Sequence, residues 1–183
     1  MAVNFSEILQ STEPTILATG NGRTEGPLWH PGGYVTFVNL EGSSLLRWDT
    51  NGQVSVVREG TGEGNGCTLD REGRLIMCEG ADHRRVTRMD ADGAVITIAE
   101  RWEGKRFSKP NDVIVRSDGT IYFTDPGLRL PKEQREIEFS GVFRIDPQGD
   151  LHLATDECEY PNGLALSPDE SVLYVSISRL DER

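Results

Sequence analysis

Four times along the chain, a short Gly-, Pro- or Asp-rich turn leads into a strand-forming run. HPGG precedes YVTFVNL, DREG precedes RLIMCEG, RSDG precedes TIYFTDP and SPDE precedes SVLYVSI. Before each turn lies another short strand pattern: GPLWH, GCTLD, DVIVR and GLALS. After the first three units comes a third run ending in Asp (LLRWDT, VTRMDA, VFRIDP), then a fourth (QVSVVRE, AVITIAE, DLHLATD). β-Branched and aromatic runs separated by Gly-bearing turns are the mark of hairpin-linked strands. Four such strands recurring every ~40 to 50 residues are the pattern of propeller blades. A β-sandwich of short strands is the alternative, but it leaves three matched R-x-D-x-x-G stretches unexplained: Arg47/Asp49/Gly52, Arg88/Asp90/Gly93 and Arg144/Asp146/Gly149. The fold class is therefore read as all-β, a β-propeller of four-stranded blades. An N-terminal segment, 1–19, precedes a partial propeller domain, 20–183, with blades at about 26–59, 64–101 and 111–156 and an incomplete one from 161. Only SEILQS near the start and LPKEQREIE (130–138) read as helical.

About three and a half blades are present, whereas a propeller closes with roughly four to eight. The expectation is a piece of a longer protein. The alternative is that further chains complete the ring by self-association through open blade edges, which otherwise invite aggregation.

The stretch FSKPNDVIVRSDGTIYFTDPG (107–127) raises a sharper question. Asn111 and Asp112 are poor strand formers, yet they stand between Pro110 and the apolar strand Val113–Val115. Asn162 repeats the arrangement in EYPNGLALS. Counted back from the second strand of each unit, the register agrees. Glu25 lies 10 residues before Val35, Asn65 10 before Leu75, Asn111 10 before Ile121 and Asn162 11 before Leu173. Innermost strands line a propeller's tunnel, so residues at their heads converge on the axis. One carboxylate and several amide oxygens there suit a hard cation, Ca²⁺ first, with Mg²⁺, Mn²⁺ or Zn²⁺ as alternatives. Against this, any single Asn at such a position is ordinarily a turn cap. Asp125 either faces the tunnel rim or starts a turn, and the turn is the preferred reading; the Gly-rich GNGRTEG and GTGEGNG read as loops.

Composition narrows the partners. Thirty acidic against 19 basic residues give a net charge of -11, which argues against nucleic acid, whose phosphates require a basic face, and against an anionic membrane surface. Three cysteines without a C-x-x-C pair give neither a disulfide framework nor a zinc ribbon. The three histidines fall in unrelated contexts and read as surface or satisfied groups. With no signal-peptide pattern at the start and no long apolar run, the expected localisation is cytoplasmic.

The stretches EGPLWHP, GNGCTLDREGRLIMCE, GKRFSKPNDVIVRSDGTIYFTDP, FSGVFRIDP and YPNGLALSPDESVLYVS together resemble the gluconolactonase/regucalcin (senescence marker protein) family, its bacterial gluconolactonase-like branch most of all. The resemblance runs from about residue 20 to 178. It implies a six-bladed propeller with one divalent metal, commonly Ca²⁺, in the tunnel, and hydrolysis of sugar lactones or related lactones. By the same resemblance Glu25, Asn111 and Asn162 are metal residues, and Asn111 also faces substrate. Asp112 is an outer partner that orients the site. Lys109 replaces an Arg that some relatives use to grip substrate. The family's catalytic aspartate, its fourth metal residue, has no match up to Arg183, so activity of this chain is expected to be impaired. The other readings are a non-catalytic propeller that serves as a binding platform, and esterase or phosphotriesterase chemistry on the same metal site.

Overall fold

The structure is a computed structural model that describes residues 9, 11, 13–80, 82–127 and 130–178. The first sheet is an antiparallel meander of β1 (Thr24–His30), β2 (Tyr34–Asn39), β3 (Ser44–Asp49) and β4 (Val54–Glu59). The second is built the same way from β5 (Gly64–Leu69), β6 (Leu75–Glu79), β7 (Arg85–Met89) and β8 (Val95–Ala99). A two-stranded hairpin follows, β9 (Arg101–Trp102) and β10 (Lys105–Arg106). The third four-stranded sheet holds β11 (Val113–Val115), β12 (Ile121–Asp125), β13 (Gly141–Ile145) and β14 (Leu151–Thr155). Last comes a two-stranded sheet, β15 (Pro161–Leu166) and β16 (Leu173–Ile177). The first strands of successive sheets, β1, β5, β11 and β15, touch in that order. They are the innermost strands of adjacent propeller blades, three complete and one of two strands.

The repeated Arg-x-Asp-x-x-Gly stretch is the turn from third to fourth strand. Asp49 N–H donates to Gln53 O and Gly52 N–H back to Asp49 O, and the same pair of bonds closes at Asp90 and Asp146. Gly52, Gly93 and Gly149 have φ of 87°, 84° and 93°, a region that side chains with a Cβ enter only at a cost. The arginine stabilises the turn in two blades, where Arg47 Nε and Arg88 Nε each lie 2.9 Å from the turn aspartate. In the third blade His152 Nε2 contacts Asp146 at 2.9 Å instead.

The core lies between blades. Phe107, Phe123 and Phe143 are fully buried and mutually packed with ring centroids 5.1 to 5.5 Å apart. Ile76, Cys78 and Val86 of the second blade close against them. A smaller cluster of Val38, Leu45, Leu75 and Met77 joins the first blade to the second. The same junction carries a buried charge network. Glu79 ends β6 with no exposed surface and accepts from Arg58 on β4 at 2.6 Å and Arg85 on β7 at 2.8 Å, with His83 Nδ1 2.6 Å away.

Two local expectations change. The 130–138 stretch holds only a single 3₁₀ turn, Lys132–Gln134. Ile137 is drawn into the core and Arg135 Nε bonds back to Leu130 O, which ties the segment down as a loop. SEILQS lies outside the described residues except for Leu9 and Ser11. The β9–β10 hairpin was not anticipated. Its turn is Glu103-Gly104, with positive φ at both residues (49° and 82°), the conformation that suits a two-residue hairpin loop.

Candidate functional site

At the head of every innermost strand the ladder is interrupted. Between Gly64↔Glu79 and Cys67↔Met77, two residues of β5, Asn65 and Gly66, stand opposite one of β6. Asn162 and Gly163 do the same between Pro161↔Ile177 and Leu164↔Val175. In the third blade Asn111 N–H donates to Thr124 O and Thr124 N–H to Asp112 O, so Asn111 and Asp112 both face Thr124. Such bulges turn a side chain out of the alternating pattern and are frequent beside binding sites. They account for an asparagine at a position where strand propensity disfavours it.

In the first blade the doubled residues are Gly26 and Pro27, between Glu25↔Val38 and Leu28↔Thr36. Glu25 therefore sits one position ahead of the asparagines. The equal spacing of ten residues is the sum of three offsets: Glu25 lies one position ahead, the turn between His30 and Tyr34 is two residues shorter than that between Leu69 and Leu75, and Val35 is the second residue of its strand where Leu75 is the first. The Gly-rich stretches are likewise not wholly loops, since their last three residues belong to β1 and β5.

The four strand heads are stitched together. A Cβ on Gly26 would lie 2.1 Å from Asn65 O, so the two backbones meet there without room for a side chain. Gly66 N–H donates to Asn111 O at 2.7 Å. Leu164 N–H donates to Asp112 Oδ2 at 2.7 Å, and Thr124 Oγ1–H to Asn162 O at 2.8 Å. Asn111 is 2% and Asn65 7% exposed, while Asn162 is half-buried and Glu25 exposed. Asp112 thus orients its neighbour across the blade boundary. Lys109 Nζ is held by Glu63 Oε2 at 2.5 Å on the rim leading to Asn65.

Electrostatics favour a cation at this mouth. Burial pushes the Asp112 carboxyl above its ordinary value, the N–H groups of Leu164 and Val113 pull it back, and the negative charge of Glu25 pushes it up again. The two carboxylates are close enough to feel one another. Among the described residues neither forms an ion pair, and Lys109 is engaged by Glu63. Among the described residues no group of three or more His, Cys, Asp or Glu side chains could hold a metal ion. The candidate donor set thus depends on amide oxygens beside Glu25, which are ligands suited to a hard ion. The donor chemistry fits a divalent cation.

Two residues stand behind the site. Thr124 and Asp125 end β12 and are fully buried. Asp125 is no turn starter: its carboxylate accepts from Ser108 N–H at 2.7 Å and Lys109 N–H at 2.6 Å. The histidines are satisfied as expected: His30 stacks on Tyr34, and ring nitrogens of His83 and His152 contact the carboxylates of Glu79 and Asp146. Cys67, Cys78 and Cys158 are free thiols. Burial pushes the Cys67 thiol up to about 12, which leaves it unreactive.

Comparison with known proteins gives this geometry a context. A gluconolactonase of Zymomonas mobilis is 30% identical over 92% of this chain and 52% of its own length. The structure of a gluconolactonase from Xanthomonas campestris superposes with a TM-score of 0.77 at 41% identity, over 85% of this chain and 54% of that one. The calcium-binding regucalcin of Agrobacterium tumefaciens shares the fold, with a TM-score of 0.63 at 17% identity over 84% of this chain and 50% of that one. The chain spans about half the length of these relatives. Residues 23–181 match the family described as SMP-30/Gluconolactonase/LRE-like region, and the chain belongs to that family.

Proposed function

We propose that the chain supplies most of the site of a metal-dependent hydrolase acting on sugar lactones or related lactones. The observation that carries this reading is the pair Glu25 and Asp112. These are two carboxylates with no ion-pair partner among the described residues, the charge of Glu25 reaching Asp112, set among strand heads that also bear Asn65, Asn111 and Asn162. Similarity to two gluconolactonases supports the substrate class. Glu25, Asn111 and Asn162 would hold the ion, with Ca²⁺ the first candidate because every donor is oxygen. When bound, a divalent cation supplies Lewis-acid polarisation of the lactone carbonyl and stabilises the developing oxyanion.

The chain's own residues do the rest. The Asn111 side chain orients substrate at the axis. Lys109, with one of its three donors committed to Glu63, offers the others to sugar hydroxyls. Because the Lys109–Glu63 pair is neutral overall, it favours neutral polyhydroxy lactones over anionic ones. The family's fourth metal residue, the aspartate that activates water, has no match among residues 1–183, so a polypeptide of these residues alone is expected to bind the ion weakly and turn over slowly. Calorimetry with CaCl₂ and a gluconolactone hydrolysis assay with added Ca²⁺ test both points. Glu25→Gln lowers Ca²⁺ affinity by about tenfold or more. Equal Ca²⁺ binding by wild type and variant removes the metal assignment, and turnover at ordinary enzymatic rates from the isolated chain removes the impairment.

A further inference from the structure

Between Phe107 and Asp112 the chain runs, largely buried, from the hydrophobic cluster to the innermost strand of the third blade ahead of the β11 pairing. Every backbone donor along this path is nonetheless taken. Phe107 N–H bonds to Glu100 O at 3.3 Å. Ser108 and Lys109 N–H donate to the two separate oxygens of Asp125. Pro110 has no donor. Asn111 N–H reaches Thr124 O at 2.8 Å, and Asp112 N–H reaches Thr124 Oγ1 at 3.0 Å. The same Thr124 hydroxyl donates to Asn162 O at 2.8 Å, across the boundary to the next blade. Two consecutive, fully buried residues therefore account for four of the five donors, three through their side chains and one through the Thr124 carbonyl, and also connect the two asparagine segments.

We infer that Thr124-Asp125 is the positioning device of the site: the Asp125 carboxylate presets Ser108–Asn111, so that Lys109 and Asn111 reach the mouth already aimed, and Thr124 locks that segment to Asn162. The inference deepens the proposed function and rests on it for what the positioned residues hold. Neither Thr124 nor Asp125 would touch the ion or the substrate. The carboxylate is specifically required. Asparagine at 125 keeps the volume but has a single acceptor oxygen, leaving one of two buried N–H groups without a partner, and a protonated acid has the same defect. Charged and titratable neighbours of Asp125 are Arg84, which donates to Phe107 O, the Cys78 thiol, and Lys109 through its backbone. Burial pushes the Asp125 carboxyl up to about 6, with the two N–H groups and Arg84 pulling it back.

The test uses the chain in chelator and follows Ser108 and Lys109 by amide NMR. In wild type both amide protons are expected slow to exchange at pH 7.5 and to lose protection together as pH falls through about 6. In Asp125→Asn one of them exchanges fast at every pH. Ca²⁺ alone is then titrated at pH 7.5. Asp125→Asn weakens its binding by ~10-fold or more, as loss of an outer-shell partner does, while the variant remains folded by circular dichroism. A folded Asp125→Asn with unchanged Ca²⁺ affinity overturns the inference. So do Ser108 and Lys109 amides that exchange independently in wild type, a measurement that stands even if the variant does not fold. If wild type binds no Ca²⁺ at all, the metal reading fails, and the amide titration by itself decides whether Asp125 sets the loop.

Discussion

Glu79 and Asp125 occupy the same place in adjacent blades, each the last residue of a second strand and each fully buried. Their surroundings differ in kind. Burial pushes the Glu79 carboxyl up, but the Arg85 hydrogen bond and the charge and hydrogen bond of Arg58 outweigh it, so the group lies below its ordinary value. Asp125 has two amides and the charge of Arg84, which do not offset its burial, and its carboxyl is raised. Removing the Glu79 charge leaves two partly buried arginines, Arg58 and Arg85, without their carboxylate. Glu79→Gln is expected to lower the unfolding free energy by ~3 to 5 kcal/mol at pH 7, measured by urea denaturation. Because its folded value is depressed, the contribution of Glu79 is present above the ordinary carboxylate value and is lost as pH falls through the folded one. A variant as stable as wild type at neutral pH would show that the network contributes no net stability. In sequence the two acids are alike, since each simply closes an apolar run before Gly or Pro. Arg58 lies 21 residues before Glu79, and Ser108 lies 17 before Asp125. No local pattern reports such partners, which is why Asp125 reads as a turn residue until the chain is folded.

The elements themselves were far more legible, because strand alternation and turn chemistry act over a few residues. All four inner hairpins and the Asp-x-x-Gly turns follow from the pattern. What the pattern missed depends on pairing: the bulges at the strand heads, and the offset of Glu25 from the asparagines. Glycines distinguish the two situations. Gly149 sits at φ of 93° with nothing within 4 Å of an added Cβ. Gly149→Ala therefore costs only backbone strain, ~1 to 2 kcal/mol. Gly66 is confined differently. An added Cβ would lie 2.3 Å from Asp112 Oδ1, 2.6 Å from Asp112 Cα and 2.8 Å from Asn111 O. Backbone cannot yield as a side-chain tip can, so Gly66→Ala must separate the second and third strand heads and break the Gly66–Asn111 bond. It is expected to cost more than Gly149→Ala in thermal unfolding and also to abolish Ca²⁺ binding, which Gly149→Ala leaves intact. Retention of binding by Gly66→Ala would mean that contact between the strand heads is dispensable to the site.

On the scale of the whole molecule, the buried acids at the site and the paired acids elsewhere pull stability in opposite directions with pH. Asp125, with a folded value of about 6 against an ordinary 3.8, binds its proton more tightly in the folded state. Its ionisation is thus a cost present above about pH 6 and relieved as pH falls toward 4, roughly 3 kcal/mol in full. Asp112, also raised, has the same sign. Glu79, Asp118, Glu136, Asp146 and Asp169 are lowered, the last to about 2 by hydrogen bonds from Ser167 and Ser171. Their contributions are present at neutral pH and disappear only below the ordinary carboxylate range. A net charge of -11 adds self-repulsion at neutral pH that diminishes toward the isoelectric point near 4.7. In chelator, stability is therefore expected to rise from pH 8 to a maximum between about 4.5 and 5.5 and to fall steeply below. Urea denaturation of dilute protein across that range checks it. Asp125→Asn should flatten the rise between pH 7 and 5, and Ca²⁺, which binds the ionised carboxylates, should shift the maximum toward neutrality by mass action. A curve that climbs steadily to pH 8 without metal would mean that the site carboxylates are balanced within the protein and that no cation is needed to offset them.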